Sequence, residues 1–216
     1  MVRLYAHPFS SYCQKAIVAL YETDTPFELR HLEDAGAMEE LAALWPIRKF
    51  PVLTDGDTTV VEASAIIEHL AATRAGAAWL IPADPVAAVE VRMMDRIFDN
   101  YVSGAQQAFI NDALRPEHQR DPKGVADAGV MLDRVYAWLD ERLKGHDWAT
   151  PHGFGLADCG AGPALFYADW THPIPERFGT LRAYRARLLA RPAMARAVDE
   201  ARRYRSYFPL GAPDRD

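Results

Sequence analysis

Cysteine is scarce. Cys13 and Cys159 are the only two in 216 residues, and their spacing suits neither a disulfide framework nor a zinc site. No glycine loop able to cradle a phosphate occurs, and no His or Cys pair stands at ligand spacing, which leaves nucleotide and metal cofactors without support. Surplus positive charge is lacking as well. The formal net charge is −6, and the arginine-rich stretch 176–205, interrupted by Glu176, Asp199 and Glu200, reads as a solvated helical face and not as a nucleic-acid surface. Long apolar runs are missing, so no segment reads as a membrane span, and the opening MVRLYAHPFSSYC carries no leader pattern. These absences point to the cytoplasm, without a nucleic-acid or membrane partner.

What is present is an ordinary globular composition, 50% apolar and 25% charged, long enough for one large domain or two small ones. VRLY at 2–5 and FELRH at 27–31 flank a helical pattern over 11–22 and predict a β-α-β unit. A second helix is expected near 36–44, then PVL at 51–53, a turn at Asp55-Gly56-Asp57 and a strand at 58–61, which together read as a hairpin. Ile66, Ile67, Leu70 and Ala71 share one face of a helix over 63–75 that should stop at Gly76. Residues 77–85, rich in proline and without periodicity, predict a linker between a domain over 1–76 and a second over 86–216. Beyond Val86 only helices are expected, near 86–113, 156–170, 177–190 and 193–204, with Leu132, Val135, Tyr136, Leu139 and Leu143 forming the buried stripe of another.

Three short segments of the first domain carry candidate chemistry. At Ser10-Ser11-Tyr12-Cys13 a strand passes into a helix; Ser11 with Gln14 matches a capping box, and Ser10 then stands just outside the helix with its hydroxyl free for whatever lies over the N-terminus. In Lys49-Phe50-Pro51-Val52 a proline opens a strand and marks an edge, a bulge or a cis bond; a cis bond would leave the Val52 N–H and C=O free for a peptide-like ligand. In Val61-Glu62-Ala63-Ser64, Glu62 or Ser64 either caps the next helix or meets the ammonium and carboxylate of an amino-acid end.

In order and spacing these segments resemble the cytosolic glutathione transferase family, and GLADCGAGPALFYADW resembles the family's hallmark capped helix in the second domain. The resemblance runs from about residue 2 to 205. It implies a glutathione transferase fold: an α/β thioredoxin-like N-terminal domain followed by an all-α helical bundle, assembled as a homodimer. It further implies that Ser10 is the catalytic hydroxyl, as in serine-type (tau-like or zeta-like) members, that Lys49, Phe50, Pro51 and Val52 contact glutathione, that Pro51 is cis, and that Glu62, Ala63 and Ser64 hold the γ-glutamyl end. The chain departs from the family pattern at Ala63, where a serine is frequent, at Trp45 and Arg48 ahead of the Lys-x-Pro segment, and at Gly155, which replaces the Ser or Thr cap while Asp158 is kept.

Tyr5 is the rival hydroxyl, against a buried core role; Cys13 reads as a small buried apolar residue or a nucleophile; His7 is either satisfied locally or close to a carboxylate. A small hydrophobic electrophile is expected against Met94, Phe98 and Tyr101, which recur at helical spacing and equally suit a core stripe, with Trp170 and Phe208 beside them. The same scaffold serves glutathione-dependent isomerases, lyases, dehalogenases and peroxidases, as well as non-catalytic binding proteins.

Overall fold

The computed structural model describes residues 1–216. Four short strands, β1 (Val2–Ala6), β2 (Phe27–His31), β3 (Val52–Asp55) and β4 (Thr58–Val61), form one sheet in the order β2-β1-β3-β4. Helix α1 (Ser11–Glu22) crosses between β1 and β2, which are parallel, while β3 runs antiparallel to both β1 and β4. Leu4 lies opposite Leu29 on one side and Leu53 on the other; on the central strands Leu4 and Leu53 are both buried in the core, while Leu29, on the edge strand, is exposed. Gly56, at φ 58°, makes the β3–β4 turn that the Asp-Gly-Asp sequence predicts.

Helices α2 (Ala37–Leu44) and α3 (Ala63–Thr73) complete the first part of the chain. The expected stop at Gly76 is corrected: α3 ends at Thr73 because Arg74 turns extended, at φ −111° and ψ 117°. The stretch 77–85 is not structureless either, since a 3-10 turn over Ala75–Leu80 buries Ala77 and Leu80. The long helix expected over 86–113 is α4 (Pro85–Ile97), a π-helical segment over Phe98–Ser103, and α5 (Gly104–Ala113), in unbroken succession. Four more follow: α6 (Pro122–Arg142), α7 (Leu156–Thr171), α8 (Gly179–Leu189) and α9 (Pro192–Ala201). No helix is long and apolar enough to cross a membrane.

One apolar core runs through both parts, joining Leu4, Ile17, Leu53 and Ile66 to Met94, Leu132, Leu165 and Leu188. Each such side chain contributes about 1.5–3 kcal/mol on leaving water. α7 is its axis, buried at every position from Leu156 to Trp170. Its small residues allow that: a Cβ on Gly160 would stand 3.2 Å from both Asp95 Oδ1 and Lys15 Cε.

The start of α7 explains the glycine where a serine or threonine is usual. A Cβ on Gly155 would lie 2.7 Å from the Leu80 carbonyl oxygen, a separation that a side chain cannot hold. Asp158 does the capping instead. Its Oδ2 accepts from the Gly155 N–H at 3.1 Å, and its Oδ1 accepts from the Ala149 N–H at 2.8 Å and the Tyr184 hydroxyl at 2.7 Å. Burial pushes this carboxyl up to about 6.

Candidate active site

A cleft of about 670 Å³ opens between the first helical turn of α1, the loop that joins α2 to β3, the start of α3 and the segment 99–111. Ser10, Lys49, Phe50, Pro51, Glu62 and Ala63 line it together.

Ser10, not Ser11, caps α1. Its backbone is extended, at φ −80° and ψ 127°, and its Oγ accepts from the Cys13 N–H at 3.4 Å. The Ser11–Gln14 capping box does not form, because Ser11 is already helical and the Gln14 amide donates to the Pro8 carbonyl at 3.0 Å and to the Tyr167 hydroxyl at 3.3 Å. As an acceptor in the cap, Ser10 keeps its hydroxyl proton for a neighbour in the cleft. No acidic residue occupies the first turn of α1, so nothing local offsets the positive partial charge of that end.

The Phe50–Pro51 bond is cis. Its consequence falls one step from the expected place: Val52 is fully buried against Tyr5, Leu32 and Leu41, pairs with β1 and β4, and does not line the cleft. Phe50 does line it, and no turn or loop bond uses its backbone N–H or C=O. The free backbone edge therefore belongs to Phe50.

Glu62 sits at φ 71° and ψ 124°, a conformation costing about 1–3 kcal/mol in a residue with a side chain. It turns the chain from β4 into α3, so the carboxylate stays in solvent while the α3 N-terminus, with Ala63 as its first residue and no side-chain cap, faces the cleft. Ser64 is turned away from the cleft. Its hydroxyl accepts from Lys15 Nζ at 2.8 Å and donates to Asp95 Oδ2 at 2.8 Å, with Arg96 on the same oxygen.

That contact belongs to a charged cluster between α1, α3 and α4. Lys15, 1% exposed, pairs with Asp95 at 2.5 Å and with Asp99 at 2.8 Å, and Arg96 reaches both carboxylates at 2.6 Å. Two cations thus balance two anions, as burial requires. Asp99 also lines the cleft.

The expected second-substrate residues lie elsewhere. Met94 and Phe98 are fully buried in the core, because the apolar stripe of α4 faces α7. Trp170 and Phe208 are buried in an aromatic cluster with Phe9 and Tyr167, with Trp170 and Phe208 centroids 5.2 Å apart. Tyr101 is 48% exposed and outside the cleft lining. Tyr5, 5% exposed, packs beside Val52 and is not at the cleft. Cys13 is fully buried, and desolvation pushes its thiol up to about 12, which removes it as a nucleophile.

The residues that do face the helical side are Asp99, Asn100, Gln107 and Asn111, with Tyr12 and Trp45 nearby. Polar side chains carry no periodic signal, and the π-helical segment shifts the helical phase, so spacing alone does not find them. Burial and the nearby Asp99 raise the Tyr12 phenol above its ordinary value, keeping it a donor.

His7 meets neighbours remote in sequence. Its Nε2 lies 3.4 Å from Glu33 and its ring 5.0 Å from His31. Both imidazole Nδ1 atoms accept backbone N–H groups, from Phe9 and Glu33, at 3.2 Å. Metal-binding histidines instead donate from the second nitrogen, so this cluster does not suit a cation.

Two family models match the chain: the glutathione S-transferase N-terminal domain over residues 4–78 and the glutathione S-transferase C-terminal domain over 103–192. A glutathione S-transferase of Hyoscyamus muticus is 27% identical over 211 residues, 92% of this chain and 98% of that one. A protein of Vibrio cholerae described as "Probable maleylacetoacetate isomerase" is 27% identical over 210 residues, 91% of this chain and 95% of its own. Among solved structures, a glutathione S-transferase of Methylobacillus flagellatus with GSH bound superposes with a TM-score of 0.82 at 24% identity, covering 91% of this chain and 98% of the other. Matching both halves of the family's architecture in order, the chain belongs to the cytosolic glutathione transferase superfamily.

Proposed function

We propose that the protein binds glutathione in this cleft, ionises its thiol beside Ser10, and adds the thiolate to a small electrophile. The observation that carries the reading is Ser10 itself: a helix cap with an unspent hydroxyl proton, on the same cleft as a free peptide edge and a second helix N-terminus. Lys49 takes the glycyl carboxylate, the Phe50 N–H and C=O pair with the cysteinyl unit, the α3 N-terminus takes the γ-glutamyl carboxylate, and Glu62 the ammonium. Position 63 offers no hydroxyl and Ser64 is committed elsewhere, so backbone N–H groups carry that end alone.

Lowering a thiol pKa from about 8.5 by two units takes about 2.7 kcal/mol of preference for the anion. A hydroxyl donating to a charged acceptor supplies roughly 1.5–3 kcal/mol, and a helix N-terminus roughly 0.3–1 more. No general base is needed. The thiol proton passes to solvent, sulfur bonds to the electrophilic carbon, and a leaving group departs with its electron pair or an addition product takes up a proton.

The likeness to the Vibrio cholerae protein favours a second outcome on the same machinery, in which thiolate adds to a conjugated double bond and is later expelled, giving an isomer. We further place the glutathione-binding domain at 1–76 and the helical domain at 86–216, in a cytoplasmic homodimer.

The test is the ultraviolet band of bound thiolate on adding glutathione, in the parent and in Ser10→Ala. The band should weaken at neutral pH in the variant, with kcat/KM down roughly 10- to 100-fold for the loss of about 1.5–3 kcal/mol. An undiminished band in Ser10→Ala removes Ser10 from the mechanism.

A further inference from the structure

The two walls of the cleft differ in kind. The apolar lining, Trp45, Ile47, Phe50 and Pro51 among it, comes from the α2–β3 loop side, whereas the segment 99–111 contributes only Asp99, Asn100, Gln107 and Asn111. Asp99 is spent on Lys15 and Arg96. Gln107 donates to Asn111 Oδ1 at 3.0 Å, one helical turn away, which fixes both amides and leaves the Gln107 oxygen and the Asn111 NH₂ open to the cleft. Asn100 is exposed and makes no side-chain bond within the protein. A wholly apolar molecule against this wall would strip water from amides and return nothing.

Arg48 faces them across the same cleft. It is exposed, pairs with no carboxylate, and has φ 58°, a left-handed backbone held by the Arg48 N–H donating to the Trp45 carbonyl at 2.9 Å. Glycine would take this conformation without strain; a strained arginine at the rim of a cleft is an observation from which function is inferred. If Lys49 and the α3 N-terminus hold the two carboxylates of glutathione, Arg48 is the surplus cation.

We infer that the second substrate is a small polar electrophile bearing a carboxylate, held between Arg48 and the amides of Asn100, Gln107 and Asn111. This rests on the glutathione reading of the cleft and replaces the hydrophobic electrophile that the sequence suggests.

A matched pair of aryl chlorides tests it: 4-chloro-3,5-dinitrobenzoate and 1-chloro-2,6-dinitrobenzene, each rate divided by its uncatalysed rate with glutathione. In both, the thiolate sulfur bonds to the ring carbon and chloride leaves with the electron pair. The parent should favour the benzoate by about tenfold in kcat/KM, the value of one charge-assisted hydrogen bond. In Arg48→Gly that ratio should fall towards one through the KM for the benzoate, with the KM for glutathione within about twofold. Gln107→Leu should move the ratio in the same direction.

Quenching of protein fluorescence by 3,5-dinitrobenzoate against 1,3-dinitrobenzene reads the same preference without turnover, since Trp45 lines the cleft. A parent ratio at or below one in both measurements overturns the inference. So does an Arg48→Gly variant that keeps the ratio, or one that raises the KM for glutathione alone. A preserved quenching preference without any thiolate band would instead defeat the glutathione reading and leave the acid-binding site standing.

Discussion

Replacing Gly155 with serine would restore the capping residue common in related helices, and it should weaken the protein. Serine improves on glycine as a cap by only a few tenths of a kcal/mol. Conformation is no obstacle, because Gly155 is extended at φ −166° and ψ −156°, open to any residue. The obstacle is space: the new Cβ would stand 2.7 Å from the Leu80 oxygen and 3.4 Å from its carbonyl carbon. Relief requires a shift of roughly half an ångström or more, in a backbone whose own Leu80 side chain is fully buried in the core. Such overpacking costs about 1–3 kcal/mol, which exceeds the capping gain and leaves a net loss of about 1–2 kcal/mol. Urea unfolding should show a lower midpoint with an unchanged slope for Gly155→Ser, and at least as large a fall for Gly155→Ala, which adds the Cβ without the hydroxyl. A midpoint for Gly155→Ser equal to or above the parent's would refute the reasoning.

Asp158→Asn should destabilise by roughly 2–4 kcal/mol at pH 7.5, since three donors converge on two carboxylate oxygens and the amide supplies only one. The deficit should widen as pH falls. Burial raises the folded carboxyl to about 6 against roughly 3.8 unfolded, so the parent gains up to about 3 kcal/mol that is fully present below the unfolded value and lost as pH rises through about 6. Urea midpoints at pH 7.5 and 4.5 that show a narrowing gap would contradict this. Lys15→Met should cost about 3–5 kcal/mol by leaving Asp95 and Asp99 to share Arg96 alone, with part of the loss recovered when Asp95→Asn is added. A loss below about 1 kcal/mol in urea unfolding would mean that the cluster is solvated.

The fold was legible because its signals are periodic: Ile66, Ile67 and Leu70 in α3, the stripe from Leu132 to Leu139 in α6 with Leu143 just past its end, and an Asp-Gly turn between two strands all fell where structure forms. The same signal misplaced the second-substrate wall. Met94 and Phe98 recur at helical spacing because they face the core, while Asn100, Gln107 and Asn111 face the cleft and leave no apolar trace. The smaller shifts are local. The Ser-x-x-Gln pattern puts the cap at Ser11, and the backbone angles move it one residue back to Ser10. Strand pairing buries Val52 and passes the free peptide edge back to Phe50. Likewise, the departure at Gly155 is explained by Leu80, a neighbour seventy-odd residues away that no local pattern reveals.

The lysine beneath the cleft has a bearing on how the polypeptide can be divided. Lys15 comes from the sheet-bearing part, and its counter-ions Asp95 and Asp99 from the helices that follow. A fragment ending before Pro85 would hold an ammonium with the Ser64 hydroxyl but no counter-ion, and the remainder a pair of carboxylates short of one cation. Neither piece is electrically self-sufficient, and each becomes so only in the presence of the other.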